Sequence, residues 1–221
     1  MKFKLTVDCV VFAYDQINGQ IKVLLIKRNN APEKGAWALP GGFVKKNKEF
    51  IEIANEKLRS ETGAQDIFME YLNSYSLTDP SEDNRIASIA FYAIIKLEDF
   101  ITDHEKSHIY HWANIKELPQ LPFDHGQKVA DAHILLKERS FVKPILYKLL
   151  PIRFSLNQLQ ELYEQIYSLN VDNRNFRRKV LNLSYIEELD EYEKNVSRRP
   201  GKLYKFNEQL FNDATKNINL F

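Results

Sequence analysis

Apolar runs separated by polar turns predict that the chain begins with a β-hairpin. Residues 5–14 are rich in valine and aromatic side chains, and residues 21–26 form a second apolar run. The dipeptide Asn18-Gly19 between them is a strong hairpin signal. A polar stretch then leads to residues 37–44, where we expect a short strand that passes through a double glycine.

The next segments mix helical and strand patterns. Apolar residues within 49–62 recur at helical spacing and Gly63 follows as a stop signal, which predicts a helix. Three further strands and a second helix are predicted at residues 67–75, 85–95, 110–112 and 124–138, respectively. Because this mixture lacks the regular alternation of a doubly wound sheet, the predicted fold class of the first domain is α+β.

The pattern changes near residue 140, where we predict a domain boundary. Pro144 and Pro151 lie between the end of one helical pattern and the start of the next. This places the first domain at residues 1–143 and the second at residues 144–221.

The second domain has the element order of a winged helix. Ser155 is expected to cap a helix that continues to Tyr167, and Asp172 is expected to cap a second helix. Residues 186–192 and 203–206 can then pair as strands, which gives the order helix, turn, helix, hairpin.

Composition narrows the class of protein. With 44% hydrophobic and 28% charged residues and a net charge of +1, the chain is an ordinary globular protein, and any nucleic-acid binding would depend on how its charges are distributed. No apolar stretch is as long as a bilayer span requires, and we found no secretory signal pattern, so we expect a cytoplasmic protein with no membrane partner. The single cysteine, Cys9, lies in an apolar run and is expected to be a core residue. The five histidines form no compact zinc pattern, so neither a metal nor a cofactor is predicted.

Residues 42–64 resemble the Nudix box, the loop-helix-loop signature of hydrolases that cleave nucleoside diphosphates linked to another moiety. Gly42 and Gly63 lie 21 positions apart as in that pattern, and a Leu-Pro-Gly-Gly-Phe-Val sequence leads into it. The resemblance implies a Nudix-type α/β/α sandwich. In such a box, glutamates on one helical face hold divalent ions that bridge a pyrophosphate and activate water.

The metal-binding carboxylates of the box are mostly missing from this chain. Lys48 replaces the glutamate of the loop, and the three positions that would face the metal are Lys57, Ser60 and Glu61. A lysine ammonium repels a cation and removes a ligand, so hydrolysis is predicted to be lost while the pocket is retained. The nearby Glu49, Glu52 and Glu56 are expected to be solvated helix charges unless the register of the box shifts.

The retained pocket predicts a small-molecule sensor. Such a pocket is expected where the glycine loop, the box helix and the neighbouring strands meet, together with an Asp-His pair at the start of the second helix. For most of these residues a structural role is an alternative, and Asp124 in particular can cap its helix. The candidate ligand-binding residues are Trp37, Gly41, Gly42, Phe43, Glu61, Arg85, Tyr92, Asp124 and His125.

Basic residues of the second domain cluster at the two places where a winged helix contacts DNA. One cluster lies on the second helix and the other lies in the wing, while five acidic residues separate them in the sequence. The helix would enter the major groove and the wing would reach a neighbouring backbone or minor groove. The predicted DNA-binding residues are Arg174, Asn175, Arg177, Arg178, Lys179, Arg198, Arg199, Lys202 and Lys205.

The whole chain resembles the Nudix-related transcriptional regulators, in which a Nudix-like effector domain precedes a winged helix. The matching segments are 118–125, 149–151, 154–156, 159–160, 163–164 and 175–178. The resemblance implies a homodimer on a palindromic operator that releases DNA when an effector binds. The effector would be an ADP-ribose-like nucleotide or, in an arabinose-responsive branch, a pentose sugar such as arabinose. The Leu-Pro-Gly-Gly-Phe-Val lead-in and the altered box resemble the arabinose-responsive branch more closely.

The sequence therefore predicts a ligand-responsive transcriptional regulator that acts as a repressor and is not an enzyme. One alternative is a Nudix hydrolase of nucleoside diphosphate derivatives that carries a C-terminal interaction module. Another is a winged helix whose basic residues bind an acidic protein.

Overall fold

The protein is described by a computed structural model that covers residues 2–44, 47–65, 67–78, 84–100, 109–194 and 200–216. It divides into two compact units, the first comprising Met1–Asp15 with Gln20–Leu149 and the second Gln16–Gly19 with Leu150–Phe221. The division falls a few residues beyond the predicted boundary. A short 3-10 turn, Ile145–Lys148, follows the last helix of the first unit and buries Ile145 and Leu146, which keeps this segment with that unit.

The first unit contains a mixed β-sheet. Its strands are β1 (Lys2–Asp15), β2 (Gln20–Lys27), β3 (Trp37–Ala38), β4 (Gly41–Phe43), β5 (Phe68–Thr78), β6 (Asn84–Ile94) and β7 (Tyr110–Asn114). The main order is β3-β2-β1-β6-β5, with β4 added on β1 and β7 on β2. Strand β1 is parallel to β6 and antiparallel to β2 and β4, so residues from distant parts of the sequence meet along β1.

Two helices, α1 (Phe50–Thr62) and α2 (His125–Val142), cover opposite faces of this sheet. Val7, Cys9 and Val11 of β1 belong to the same core cluster as the buried side of α1. Because successive strand residues point to opposite faces, the intervening Asp8 faces α2. Cys9 is fully buried and this burial raises the pKa of its thiol, so the prediction of a core cysteine is confirmed.

The second unit is a winged helix. It contains β8 (Phe154–Ser155), α3 (Leu156–Tyr167), α4 (Asn173–Leu181), β9 (Ile186–Tyr192), β10 (Lys202–Phe206) and α5 (Glu208–Lys216). The strands form a sheet in the order β8-β10-β9. The core is formed by apolar side chains of β8, α3, α4 and β10, namely Phe154, Leu156, Leu159, Leu162, Ile166, Val180 and Tyr204.

Local signals account for most of these elements, and the predicted fold class is confirmed. Ser155 accepts a hydrogen bond from the Gln158 amide and Asp172 accepts one from the Asn175 amide, as expected of N-caps. Helix α5 was not predicted. Across the described part of the chain, no helix is long and apolar enough to cross a membrane.

Candidate effector pocket and nucleic-acid interface

Helix α1 uses its glutamates for its own stability. Glu49 is the N-cap and forms a capping box with Glu52, in which each side chain accepts a hydrogen bond from the other residue's backbone amide. Glu56 forms an ion pair with Lys48. Gly63 ends the helix in the left-handed conformation, with φ at 71°. Glu49, Glu52 and Glu56 therefore all have structural partners.

The metal-facing positions of the box form a closed network of a different kind. The Lys57 Nζ lies 2.5 Å from Glu61 Oε1, and the Tyr110 hydroxyl donates to Glu61 Oε2 at 2.8 Å. The Ser60 hydroxyl donates to the Lys57 carbonyl. Among the residues that the structure describes, no three His, Cys, Asp or Glu side chains gather closely enough to hold a metal ion. These residues do not fit the divalent ion that a catalytic Nudix box requires.

The glycine loop is held tightly against β1. A Cβ atom on Gly41 would lie 2.3 Å from Asp8 Oδ1 and 2.6 Å from the Val7 carbonyl oxygen, so only glycine fits there. The Pro40 carbonyl accepts a hydrogen bond from the Cys9 amide at 2.8 Å. Gly42, in contrast, is exposed and has open space where a Cβ would be.

Beside this loop lies a buried charge cluster, which we define as Asp8, Ser88, Asp124 and Lys128. The Lys128 Nζ lies 2.7 Å from both Asp8 Oδ2 and Asp124 Oδ1, and the Ser88 hydroxyl donates to Asp8 Oδ2 at 2.5 Å. The prediction that Asp124 caps α2 is wrong, because its side chain makes no cap hydrogen bond and pairs with Lys128 one turn later. Sequence reasoning missed Asp8, Ser88 and Lys128, although an acid inside the apolar run of β1 was a visible signal.

His125 connects α2 to the glycine loop. It is 5% exposed, and its Nδ1 accepts a hydrogen bond from the Leu39 amide at 3.0 Å. Nδ1 must therefore be unprotonated. Burial lowers the pKa of His125, and the nearby Lys128 acts in the same direction while Asp8 opposes it.

This arrangement predicts that acid destabilises the first unit through His125. Because the pKa is lowered in the folded state, the unfolded chain takes up the proton first as the pH falls below the ordinary value of 6.5. The stabilising effect of neutral His125 is thus complete above that pH and is lost below it, with a slope of at most about 1.4 kcal/mol per pH unit. Urea unfolding followed by tryptophan fluorescence measures this unit, since Trp37 and Trp112 both belong to it.

The control is the variant His125→Asn, whose side-chain oxygen can still accept the Leu39 hydrogen bond but has no titrating proton. The free energy difference between this variant and the wild type should shrink between pH 7.5 and 5.5. A difference that stays constant over that range would contradict the assignment.

The remaining ligand candidates are dispersed over the first unit. The ring of Trp37 lies 5.3 Å from that of His111 and carries Lys27 Nζ at 5.9 Å from its centroid. Phe43 is exposed on β4, and Arg85 is exposed near the start of β6. Tyr92 is fully buried and its hydroxyl donates to Glu70, so it lies in the core and cannot line a pocket in this conformation.

Helix α4 presents most of its predicted DNA-binding residues to solvent. Arg174, Asn175, Arg178 and Lys179 are all exposed. Arg178 donates to the Asn175 side chain at 3.0 Å, which orders both groups on the same surface. Arg177 differs because it is half-buried and donates to Asn157 of α3 at 2.6 Å. Its guanidinium therefore holds the two helices together, and this contact competes with the predicted contact to DNA.

The lysines of the wing are paired with acidic residues of the preceding strand. Lys202 lies 2.5 Å from Glu188, and Lys205 lies 2.6 Å from Glu187. Hydrogen bonds from these lysines lower the pKa of each glutamate. The predicted positions Arg198 and Arg199 lie outside the described residues. Among the described residues of the two clusters, the basic side chains of α4 therefore present more positive charge to solvent than Lys202 and Lys205, which are paired with glutamates.

Comparison with known families matches both units. Residues 2–134 match the NUDIX domain family, and residues 146–206 match the NrtR DNA-binding winged helix domain. The first match covers more than half of the chain.

Individual relatives extend these matches. The chain is 30% identical to the ADPR responsive transcriptional repressor NtrR of Acinetobacter baylyi over 206 residues, which is 91% of this chain and 81% of that protein. It is 33% identical over 131 residues to the ADP-ribose pyrophosphatase of Methanocaldococcus jannaschii, covering 59% of this chain and 76% of the relative. Among solved structures, Shewanella oneidensis NrtR complexed with a 27mer DNA superposes with a TM-score of 0.78 at 25% identity, over 93% of this chain and 94% of that one.

Proposed function

The chain belongs to the NUDIX domain family and joins that domain to an NrtR-type DNA-binding winged helix, and on this premise we propose that it is an effector-responsive transcriptional repressor. The observation that carries the proposal is the similarity to the Acinetobacter baylyi repressor, which extends across both units. The exposed cationic surface of α4 supplies a physical means of binding DNA.

Helix α4 is the proposed recognition helix. Exposed arginine and asparagine side chains can form bidentate hydrogen bonds with guanine and adenine edges in the major groove. Arg174, Asn175 and Arg178 take this role, and Lys179 binds phosphate. Arg177 acts mainly through Asn157, which fixes α4 against α3. Lys202 and Lys205 contribute less, because Glu188 and Glu187 already neutralise them.

Two copies of the chain are proposed to bind a palindromic operator. Two recognition helices related by a two-fold axis reach successive major grooves when the half-sites are about one helical turn, roughly 34–36 Å, or a multiple of it apart. Gel filtration with light scattering, with and without operator DNA, tests the dimer.

The proposed effector is an ADP-ribose-like nucleotide that binds the NUDIX domain. Two relatives support this class. One is named as an ADPR responsive repressor. The other is named as an ADP-ribose pyrophosphatase, and its match has about the length of the NUDIX domain. A pentose sugar such as arabinose is the other effector class that the test must include. We further propose that the domain does not hydrolyse its ligand, because Lys57 and Tyr110 already occupy the carboxylate of Glu61.

A gel-shift titration on the region upstream of the protein's own gene tests this function. We expect specific binding at moderate salt and release by ADP-ribose. Arabinose is titrated separately, and release by arabinose alone would assign the other effector class. Effector coupling of this type is worth roughly 1–3 kcal/mol, a 5- to 150-fold change in DNA affinity. If no specific complex forms at moderate salt, the proposed function is wrong.

A catalytic role is the second candidate, and the identity with an archaeal ADP-ribose pyrophosphatase favours it. Incubation with ADP-ribose and MgCl₂ distinguishes the two. Turnover that is abolished by Glu61→Gln would establish a hydrolase, whereas we expect the nucleotide to be recovered intact.

A further inference from the structure

The carboxylate of Glu61 already has a cation where a catalytic box would provide a divalent ion. Its Oε1 contacts the ammonium of Lys57, one helical turn earlier, and its Oε2 accepts the Tyr110 hydroxyl. The side chain of Glu61 is 16% exposed and that of Lys57 is 35% exposed. The pair is therefore sheltered on the glutamate side and open to solvent on the lysine side.

The surroundings strengthen this pair and disfavour a metal ion. The ring of Tyr110 packs edge-on against Phe100 at 5.5 Å, and Phe100 packs against Trp112 at 5.4 Å. Such an apolar wall lowers the local dielectric and so strengthens the attraction between Lys57 and Glu61. Magnesium requires several oxygen ligands in near-octahedral geometry, and an adjacent ammonium opposes its binding.

We propose that Lys57 is a built-in cation that replaces the divalent ion in effector binding. An ammonium has three N–H donors, and Glu61 uses one of them in the observed contact. The solvent-facing donors can bind an anionic oxygen of the effector, such as a diphosphate oxygen. This inference rests on the proposed function for the class of effector. Its consequence is that effector binding requires no divalent metal.

Isothermal titration of the full chain with ADP-ribose tests the proposal. Affinity in EDTA should equal affinity in MgCl₂ within about twofold. Lys57→Met should weaken binding by about tenfold or more, since it removes a charge-assisted hydrogen bond, and Lys57→Arg should retain most of it. The matched control is Lys48→Met, which removes an exposed lysine that is likewise paired with a glutamate of α1.

Three results would overturn the proposal. These are a tenfold or greater loss of affinity in EDTA, unchanged binding by Lys57→Met, and no binding of ADP-ribose by the wild type in either buffer. Operator binding is measured on the same preparations in the absence of effector, where Lys57→Met should match the wild type. A protein that binds its operator but fails the ADP-ribose arm would refute the role of Lys57 and leave the regulator itself in place.

A metal-binding measurement provides a second readout that does not depend on the effector. With Mn²⁺ as the probe, electron paramagnetic resonance should detect no site-bound ion in the wild type. The double variant Lys57→Glu/Ser60→Glu should bind Mn²⁺, and Lys57→Met/Ser60→Ala should not, because only the first restores carboxylates beside Glu61. Binding of Mn²⁺ by the wild type that Glu61→Gln abolishes, or no binding by the carboxylate variant, would contradict the proposal.

Discussion

Replacing Arg174 and Arg178 together by alanine is expected to lower operator affinity by about 100-fold or more. Each exposed arginine can form a bidentate contact with a guanine, and such a contact is worth roughly 1–3 kcal/mol. The two residues lie one turn apart on α4, so both can face the same groove. Fluorescence anisotropy with labelled operator, measured at several salt concentrations, gives the affinity and the salt dependence.

Two controls separate this effect from a general loss of charge. Lys34→Ala/Arg59→Ala removes the same two charges from exposed positions of the first unit and should leave affinity within about twofold. Lys202→Ala/Lys205→Ala removes two charges from the wing, which Glu188 and Glu187 already neutralise, and should cost much less than the α4 variant. Unchanged DNA affinity after charge reversal at Arg177 and Arg178 would favour a winged helix that binds an acidic protein.

The predicted elements agree with the structure where the signal is local. The Asn18-Gly19 turn joins two paired strands, Gly63 ends a helix, and Asp172 caps one, because each acts on backbone groups within a few residues. Helix α5 was missed although it has a local signal, since the Asn207 side chain accepts a hydrogen bond from the Leu210 amide. Its Phe211 also packs against the rings of Tyr185 and Phe206, which lie outside the helix. Propensity alone does not show such packing.

The candidate site could be predicted only where its chemistry lies on one helix. The loss of metal ligands followed directly from Lys57 and Ser60, which lie in the box itself. The partners of the charge cluster could not be predicted, because Asp8 and Lys128 are 120 positions apart and meet only after β1 and α2 pack together. The pairing of Lys202 and Lys205 was missed for a similar reason, since cross-strand register decides which glutamate faces which lysine. Distributions of charge along a sequence therefore overstate the charge that a surface presents.

The largest expected effect on stability comes from the buried charge cluster. We expect Lys128→Met to lower the free energy of unfolding by about 3–5 kcal/mol. The Lys128 side chain is 1% exposed and contacts two carboxylates, Asp8 and Asp124. Removing it leaves both acids sheltered from water without a cation, and breaking a buried ion pair on one side costs more than replacing the whole pair. Tryptophan fluorescence during urea unfolding reports this loss, because both tryptophans belong to the first unit.

The double variant Lys128→Met/Asp8→Asn should recover part of that loss, since the amide removes one uncompensated charge and can still accept the Ser88 hydroxyl. Lys48→Met breaks the exposed pair with Glu56 and should change the unfolding free energy by less than about 1 kcal/mol. The comparison distinguishes burial from pairing, because Lys48 and Lys128 each contact a carboxylate but only Lys128 is enclosed. If the unfolding free energies of Lys128→Met and Lys48→Met differ by less than about 1 kcal/mol, then the cluster does not stabilise the contact between α2 and β1.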